Sequence, residues 1–331
     1  MTGNQPGGPD LPGSAAPAPS RRWLQPLLLA AGLGLVAFLV ARLPLAAIGR
    51  ACLDLGPLVL LLPVIGLGWF AANSCALREL VAREVPWRSL LWNRLVGEAL
   101  NALVPLGGIG GEPLKVRHLA RRVPLARAVV ALLDDRLIEN ITGLAVSGLF
   151  VAVAALESPR APAPVRAALW TYAALAPAVA AIASAAVLSG LSGRIGARVG
   201  RWLGAPAHAE GRLAPARFAR AALWNLVGRA LGLLEVGLLL WLLGIAPTPV
   251  RLLTAAGVTW AGGFIGFAFP QGIGVTEAAT VGAFELCGLP AAAGVAFALA
   301  RRGRMLLLSL FGLALHLGSR WPGAARRARA S

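Results

Sequence analysis

Apolar residues fall along this chain in blocks of about 20, the length a helix needs to cross a bilayer. The first runs from Leu24 to Val40, after a basic pair at Arg21 and Arg22. Further blocks lie at 57–77, 128–156, 167–191, 219–245 and 290–318. Two more, 93–111 and 252–287, are interrupted by proline and clustered glycine. The pattern predicts an all-α polytopic membrane protein with about six full spans plus two Pro/Gly-broken re-entrant segments. Non-helical backbone at membrane depth survives only where protein or a wet cavity surrounds it, so the two broken segments mark the expected functional centre.

Composition agrees. Hydrophobic residues make up 57% and charged residues 14%, with mean hydropathy +0.72. A soluble chain carries about 25% charged residues, so a soluble enzyme and a disulfide-stapled secreted domain are both excluded. The net charge of +17 would suggest nucleic acid in a soluble protein, but here the basic residues flank apolar spans, and no nucleic-acid partner is expected. Only Lys115 among the 31 basic residues is a lysine.

Residues 1–20, rich in Pro, Gly, Ser and Ala, read as a disordered tail. Residues 21–318 read as one integral membrane domain and 319–331 as a basic tail. Arg and Lys number 20 in the tail before the first span, 78–127, 192–217 and 320–331, against five in 42–56, 157–166 and 246–251. That asymmetry places both termini in the cytoplasm. Segment 93–111 then dips in from the cytoplasm and 252–287 from the other face.

The two broken segments share a motif. PLGGIGGE (Pro105–Glu112) and PQGIGVTE (Pro270–Glu277) both fit P-x-G-x4-E, and Arg136 and Arg301 each follow the glutamate by 24 residues. One such match is expected by chance about 0.09 times, so two copies indicate a repeat, near 93–156 and 252–318. Opposite entry makes the repeat inverted, an architecture that sets a substrate site between the copies. The plainer reading is that Pro and Gly only kink packed helices.

Charges inside apolar blocks are costly and face a cavity or a partner. Asp134, Asp135, Arg136 and Glu139 cluster in DDRLIEN, and Arg301, Arg302 and Arg304 in RRGR; Arg229 and Glu235 stand between them. Acids of one copy are expected to approach arginines of the other. They either lock the helices as ion pairs or line a polar groove in which Arg302 or Arg304 meets phosphate bidentately. The three cysteines and three histidines match no metal spacing, so no metal or cofactor is expected. No Walker motif is present, and a proton- or ion-coupled cycle through Glu112 or Glu277 is the alternative to ATP.

The stretches NALVPLGGIGGEPLKVRHL (Asn101–Leu119), DDRLIEN and FPQGIGVTEAA (Phe269–Ala279) resemble the lysylphosphatidylglycerol synthase transmembrane-region family. This flippase-like family includes stand-alone proteins and hopanoid-biosynthesis-associated members. The resemblance runs from about residue 24 to 318. It implies a first motif at Asn101, Pro105, Gly107 and Glu112. It implies an acid–Arg–x–x–acid motif at Asp135, Arg136 and Glu139, and a second glycine motif at Pro270, Gly272, Gly274 and Glu277. It also implies transport or handling of a lipid with a polar headgroup, of phospholipid or hopanoid/terpenoid class. Membrane lipids with anionic headgroups and lipid-biosynthesis enzymes are the expected partners. Only a basic tail follows Gly318, so lysyl transfer from tRNA is not expected. The rival reading is an intramembrane enzyme or an accessory of envelope-lipid synthesis, but it lacks a His/Cys/Ser constellation.

Overall fold

A computed structural model describes residues 50, 53–81, 85–103, 110–202, 212–266 and 274–319. The expected first span and both tails (1–20 and 320–331) lie outside these. So do Pro105, Gly107, Pro270 and Gly272.

Every described regular element is a helix, and no strand occurs among the described residues. A 3-10 turn (Pro57–Leu60) leads into α1 (Leu61–Leu80). Then follow α2 (Trp87–Leu103), α3 (Glu112–Leu119), α4 (Leu125–Glu157), α5 (Ala163–Leu188) and α6 (Leu191–Trp202). The second half contains α7 (Pro215–Leu242), α8 (Pro249–Gly266), α9 (Val275–Leu286) and α10 (Ala291–Ser319). Leu and Ala give these segments their helical propensity. Proline sits in the first turn of α3, α5 and α7, where its missing N–H costs nothing.

Among the described residues, four stretches are long and apolar enough to cross a membrane: Pro57–Leu80, Leu125–Glu157, Ala163–Leu188 and Pro215–Leu242. Helix α10 has the length, but Arg301, Arg302 and Arg304 interrupt its apolar run. Helices α2 and α8 are shorter, at 17 and 18 residues.

Each broken segment is a helical hairpin. Helix α3 runs back along α2: a Cβ on Gly111 would sit 2.0 Å from the Gly97 carbonyl oxygen. Further down, the Asn93 side chain donates to the Lys115 carbonyl (3.2 Å), and Ser89 and His118 share a hydrogen bond (2.9 Å). Only glycine permits the first of these approaches, because any side chain at 111 would overlap main chain. Helix α9 returns along α8 in the same way, with Gly262 against Ala279 and Thr259 against Thr280. Both hairpins therefore leave on the side they enter, as the glycine-rich interruptions predict.

Most packed pairs in one half have a counterpart in the other. Helix α1 packs on α7; α2 on α10 is matched by α8 on α4. Likewise α2–α3 is matched by α8–α9, α3–α4 by α9–α10, and α1–α10 by α7–α4. The crossings α1, α4, α5 and α7 alternate in direction, so α7 runs opposite to α1. The second set is thus inverted relative to the first, the expected repeat geometry. Helices α5 and α6 fall outside the repeat. Two large apolar clusters hold the halves, one around Leu77, Leu119 and Ile138, the other around Leu239, Phe284 and Phe297.

Candidate functional site

Helix α2 turns Arg94, Glu98 and Asn101 onto one face, by their i, i+4, i+7 spacing. That face meets α3 and the DDRLIEN stretch of α4. Arg94 donates to Asp135 (2.7 Å) and to Glu139 (3.0 Å), and all three are buried. Lys115 contacts Glu98 (2.6 Å) and Glu112 (2.9 Å). Arg136 reaches Glu98 (3.1 Å), Glu112 (3.0 Å) and Glu139 (3.3 Å). Asn101 accepts from the Gly111 amide (2.6 Å) and donates toward Glu98 and Glu112, closing the hairpin. Three cations thus face four carboxylates, each hydrogen-bonded, and the cluster encloses a void of only about 10 Å³. In such a buried network, removing a main counter-ion such as Arg94 strands the carboxylates it serves.

The second copy is built differently. The motif glutamates, 112 and 277, set an offset of 165 residues between the copies. At that offset Arg94, Glu98 and Lys115 become Thr259, Gly263 and Thr280, and Asp135 and Glu139 become Ala300 and Arg304. Arg94, Glu98, Lys115 and Asp135 give way to shorter side chains, and although Arg304 is longer than Glu139, much of the space they would fill stays open. A cavity of about 540 Å³ occupies it, lined by Thr259, Gly263 and Thr280 among others. The cavity exists because the repeat is asymmetric in side-chain volume.

Its charge is also asymmetric. Arg229, Arg301, Arg302 and Arg304 line it, against Glu139 and Glu277. Glu277 binds the Gly274 amide (2.7 Å) at the start of α9 and is paired with Arg302. Arg302 also donates to the Thr276 hydroxyl (3.3 Å). Buried Glu235 of α7 accepts from Arg301 (3.3 Å) and Arg304 (2.6 Å). Arg229 donates to the Glu139 carbonyl (3.1 Å) and lies 5.6 Å from the Trp260 ring centroid. Trp69, Trp260 and Phe264 complete a largely apolar wall.

The expected residues therefore separate. Asn101, Glu112, Asp135 and Arg136 belong to the ion-pair network; Glu277, Arg301, Arg302 and Arg304 line the cavity, with Gly274 adjoining it. Glu139 belongs to both and joins the network to the cavity. Acids and arginines of different copies do approach, since Glu139 of the first lines the cavity with Arg301, Arg302 and Arg304 of the second; the motif glutamates pair inside their own copies, Glu112 with Arg136 and Glu277 with Arg302. The 24-residue offset also holds only once, because one helical position further along, Arg302 rather than Arg301 faces α9.

Sequence reasoning missed Arg94, Glu98 and Lys115, and left Arg229 and Glu235 outside the site. The i, i+4, i+7 spacing of Arg94, Glu98 and Asn101 was the available signal for the first two. No group of His, Cys, Asp and Glu suited to a metal occurs among the described residues.

Inverted hairpins around a polar cavity, within apolar membrane-length helices, define an integral membrane protein of the re-entrant, inverted-repeat class. The family described as the lysylphosphatidylglycerol synthase TM region matches residues 23–312. The chain belongs to this family, and with it to membrane proteins of lipid-related biosynthesis or transport. No curated protein and no solved structure matches it.

Proposed function

We propose that this protein is a lipid flippase or transporter of the bacterial inner membrane, without enzymatic activity of its own. Its cargo is a lipid with an anionic, phosphate-bearing headgroup, of phospholipid or terpenoid class. The carrying observation is the cavity's charge: four arginines against two glutamates, within an apolar wall. Guanidinium groups match phosphate oxygens in bidentate geometry, so an excess of arginine selects that headgroup. The hydrocarbon tail stays in the surrounding lipid. Both termini are cytoplasmic in this reading, and lipid-synthesis enzymes are the natural partners for supply of cargo.

Three steps follow from the side chains. The headgroup phosphate displaces Glu277 from Arg302 and engages Arg302 and Arg229. Glu277, released from its partner, becomes the group that accepts a proton. Glu277 then releases that proton to water, and its return to Arg302 as a carboxylate expels the headgroup toward the other leaflet. The ion-pair network of the first copy holds α2, α3 and α4 rigid while the second copy works.

Purified protein in liposomes containing fluorescent phospholipids tests this, by reading leaflet exchange and lipid turnover together. Exchange of an anionic lipid should exceed that of phosphatidylcholine. Arg302→Gln or Arg229→Gln should slow it about tenfold or more, since a charge-assisted hydrogen bond is worth roughly 1.5–3 kcal/mol. Chemical change of the lipid would favour an enzyme, and exchange equal to empty liposomes for every lipid would end the proposal.

A further inference from the structure

Helix α6 takes no part in the repeat or the cavity, yet its three faces are sharply divided. One face is packed: Ser192 is buried, and a Cβ on Gly196 would lie 2.2 Å from Val130 Cγ2 of α4. A second face is apolar and open. Leu191, Ile195 and Val199, at i, i+4 and i+8, are 42%, 43% and 36% exposed. The third, next to it, presents Arg194, Arg198 and Arg201, all exposed. The helix contains no acidic residue.

Chain connectivity fixes where this helix lies. It begins two residues after membrane span α5 ends at Leu188, so it sits at the membrane boundary. At 1.5 Å per residue its 12 residues extend about 18 Å. A helix there, with an open apolar stripe beside a basic stripe, places the stripe in the acyl boundary and the basic groups among headgroups. Basic residues at that depth are attracted by anionic lipid and have no such preference for a neutral surface.

We infer that α6 is an interfacial helix that docks on the anionic phospholipid headgroups of the leaflet it faces. Leu191, Ile195 and Val199 enter the acyl boundary, and Arg194, Arg198 and Arg201 engage the phosphates. Its contact at Val130 lies one helical turn before Asp134 and Asp135, so lipid charge is felt at the start of the segment that carries the buried network. This inference does not depend on what the cavity carries.

The full-length protein, with Cys52, Cys75 and Cys287 replaced and a nitroxide on Val199→Cys, reports the placement. It is reconstituted in phosphatidylcholine alone or with phosphatidylglycerol. In the mixed bilayer, collisions of the label with oxygen should exceed those with an aqueous nickel complex. Arg194→Gln/Arg198→Gln/Arg201→Gln should abolish the difference between the two bilayers while leaving detergent melting unchanged, since all three side chains are exposed. A label open to the nickel complex in both bilayers would overturn the inference. So would a label shielded from both reagents, which would mean that protein, such as a second copy, covers the face. Retention of the lipid-charge dependence by the triple variant would overturn it as well. No transport is measured, so failure here is separate from failure of the transport reading.

Discussion

Glu112 and Arg136, 24 residues apart, close an ion pair at 3.0 Å, whereas Glu277, at the same place in the second copy, takes Arg302 as its partner. The two motif glutamates therefore do different work. Glu112 shares Arg136 with Glu98 and Glu139, and shares Lys115 with Glu98. Glu277 stands at the cavity with one arginine.

That difference predicts unequal responses to the same substitution. Glu112→Gln should cost about 1 kcal/mol of stability and leave lipid exchange near the parental rate, because its cations keep other carboxylates. Glu277→Gln should fold normally, leave Arg302 without its carboxylate, and bind anionic lipid several-fold more tightly while releasing it more slowly. Titrating phosphatidylglycerol against exchange rate in both variants checks this. Equal effects would mean that the motif glutamates are equivalent after all.

Arg94 is the main cation for Asp135 and Glu139. Arg94→Met should lower stability by about 3–5 kcal/mol, the cost of stranding a buried charge. Adding Asp135→Asn and Glu139→Gln should recover much of it, because the carboxylates no longer need a counter-charge. Detergent melting of the single and triple variants makes the comparison, and a single variant that melts with the parent would refute it.

Two glycines should respond oppositely to alanine. At Gly111 a Cβ meets the Gly97 carbonyl at 2.0 Å, and two backbones would have to separate. Gly111→Ala should cost about 1–3 kcal/mol or more. At Gly263 a Cβ meets nothing within 4 Å. Gly263→Ala should hold or raise stability, since alanine is the better helix former by about 1 kcal/mol. Gly263→Leu should remain folded but obstruct the cavity and slow exchange. Melting and exchange on the three variants separate packing from transport.

His118, in the short helix after the first hairpin turn, is held below its ordinary value of 6.5 by burial, and further by Arg121 and Arg122. The fold thus favours the neutral ring. Its contribution is complete above about pH 6.5 and is lost as pH falls through the lower folded value. Melting should drop as pH falls below about 6.5, and His118→Gln should flatten that drop while keeping a partner for Ser89. An identical pH profile in the variant would show that His118 is not the group responsible.

Much of the fold follows from one-dimensional features. Apolar runs of bilayer length dictate helices, since a backbone in lipid has no other partner for its amides. The glycine and proline clusters likewise announced the hairpins, because only glycine allows α3 to return against α2 at Gly111. What the sequence alone determined is therefore a helical membrane protein with two broken segments in repeat, and the residues DDRLIEN and RRGR as its charged positions. Only the tertiary structure decided how those charges are shared. Pair choice depends on helix rotation: one position along α10 is about 100°, enough to give Glu277 Arg302 and turn Arg301 to Glu235. The cavity depends on volume at facing positions, where Thr259, Gly263 and Thr280 leave open what Arg94, Glu98 and Lys115 fill in the other copy. Neither rotation nor facing volume is written along a single strand of letters, because both arise when separate helices meet.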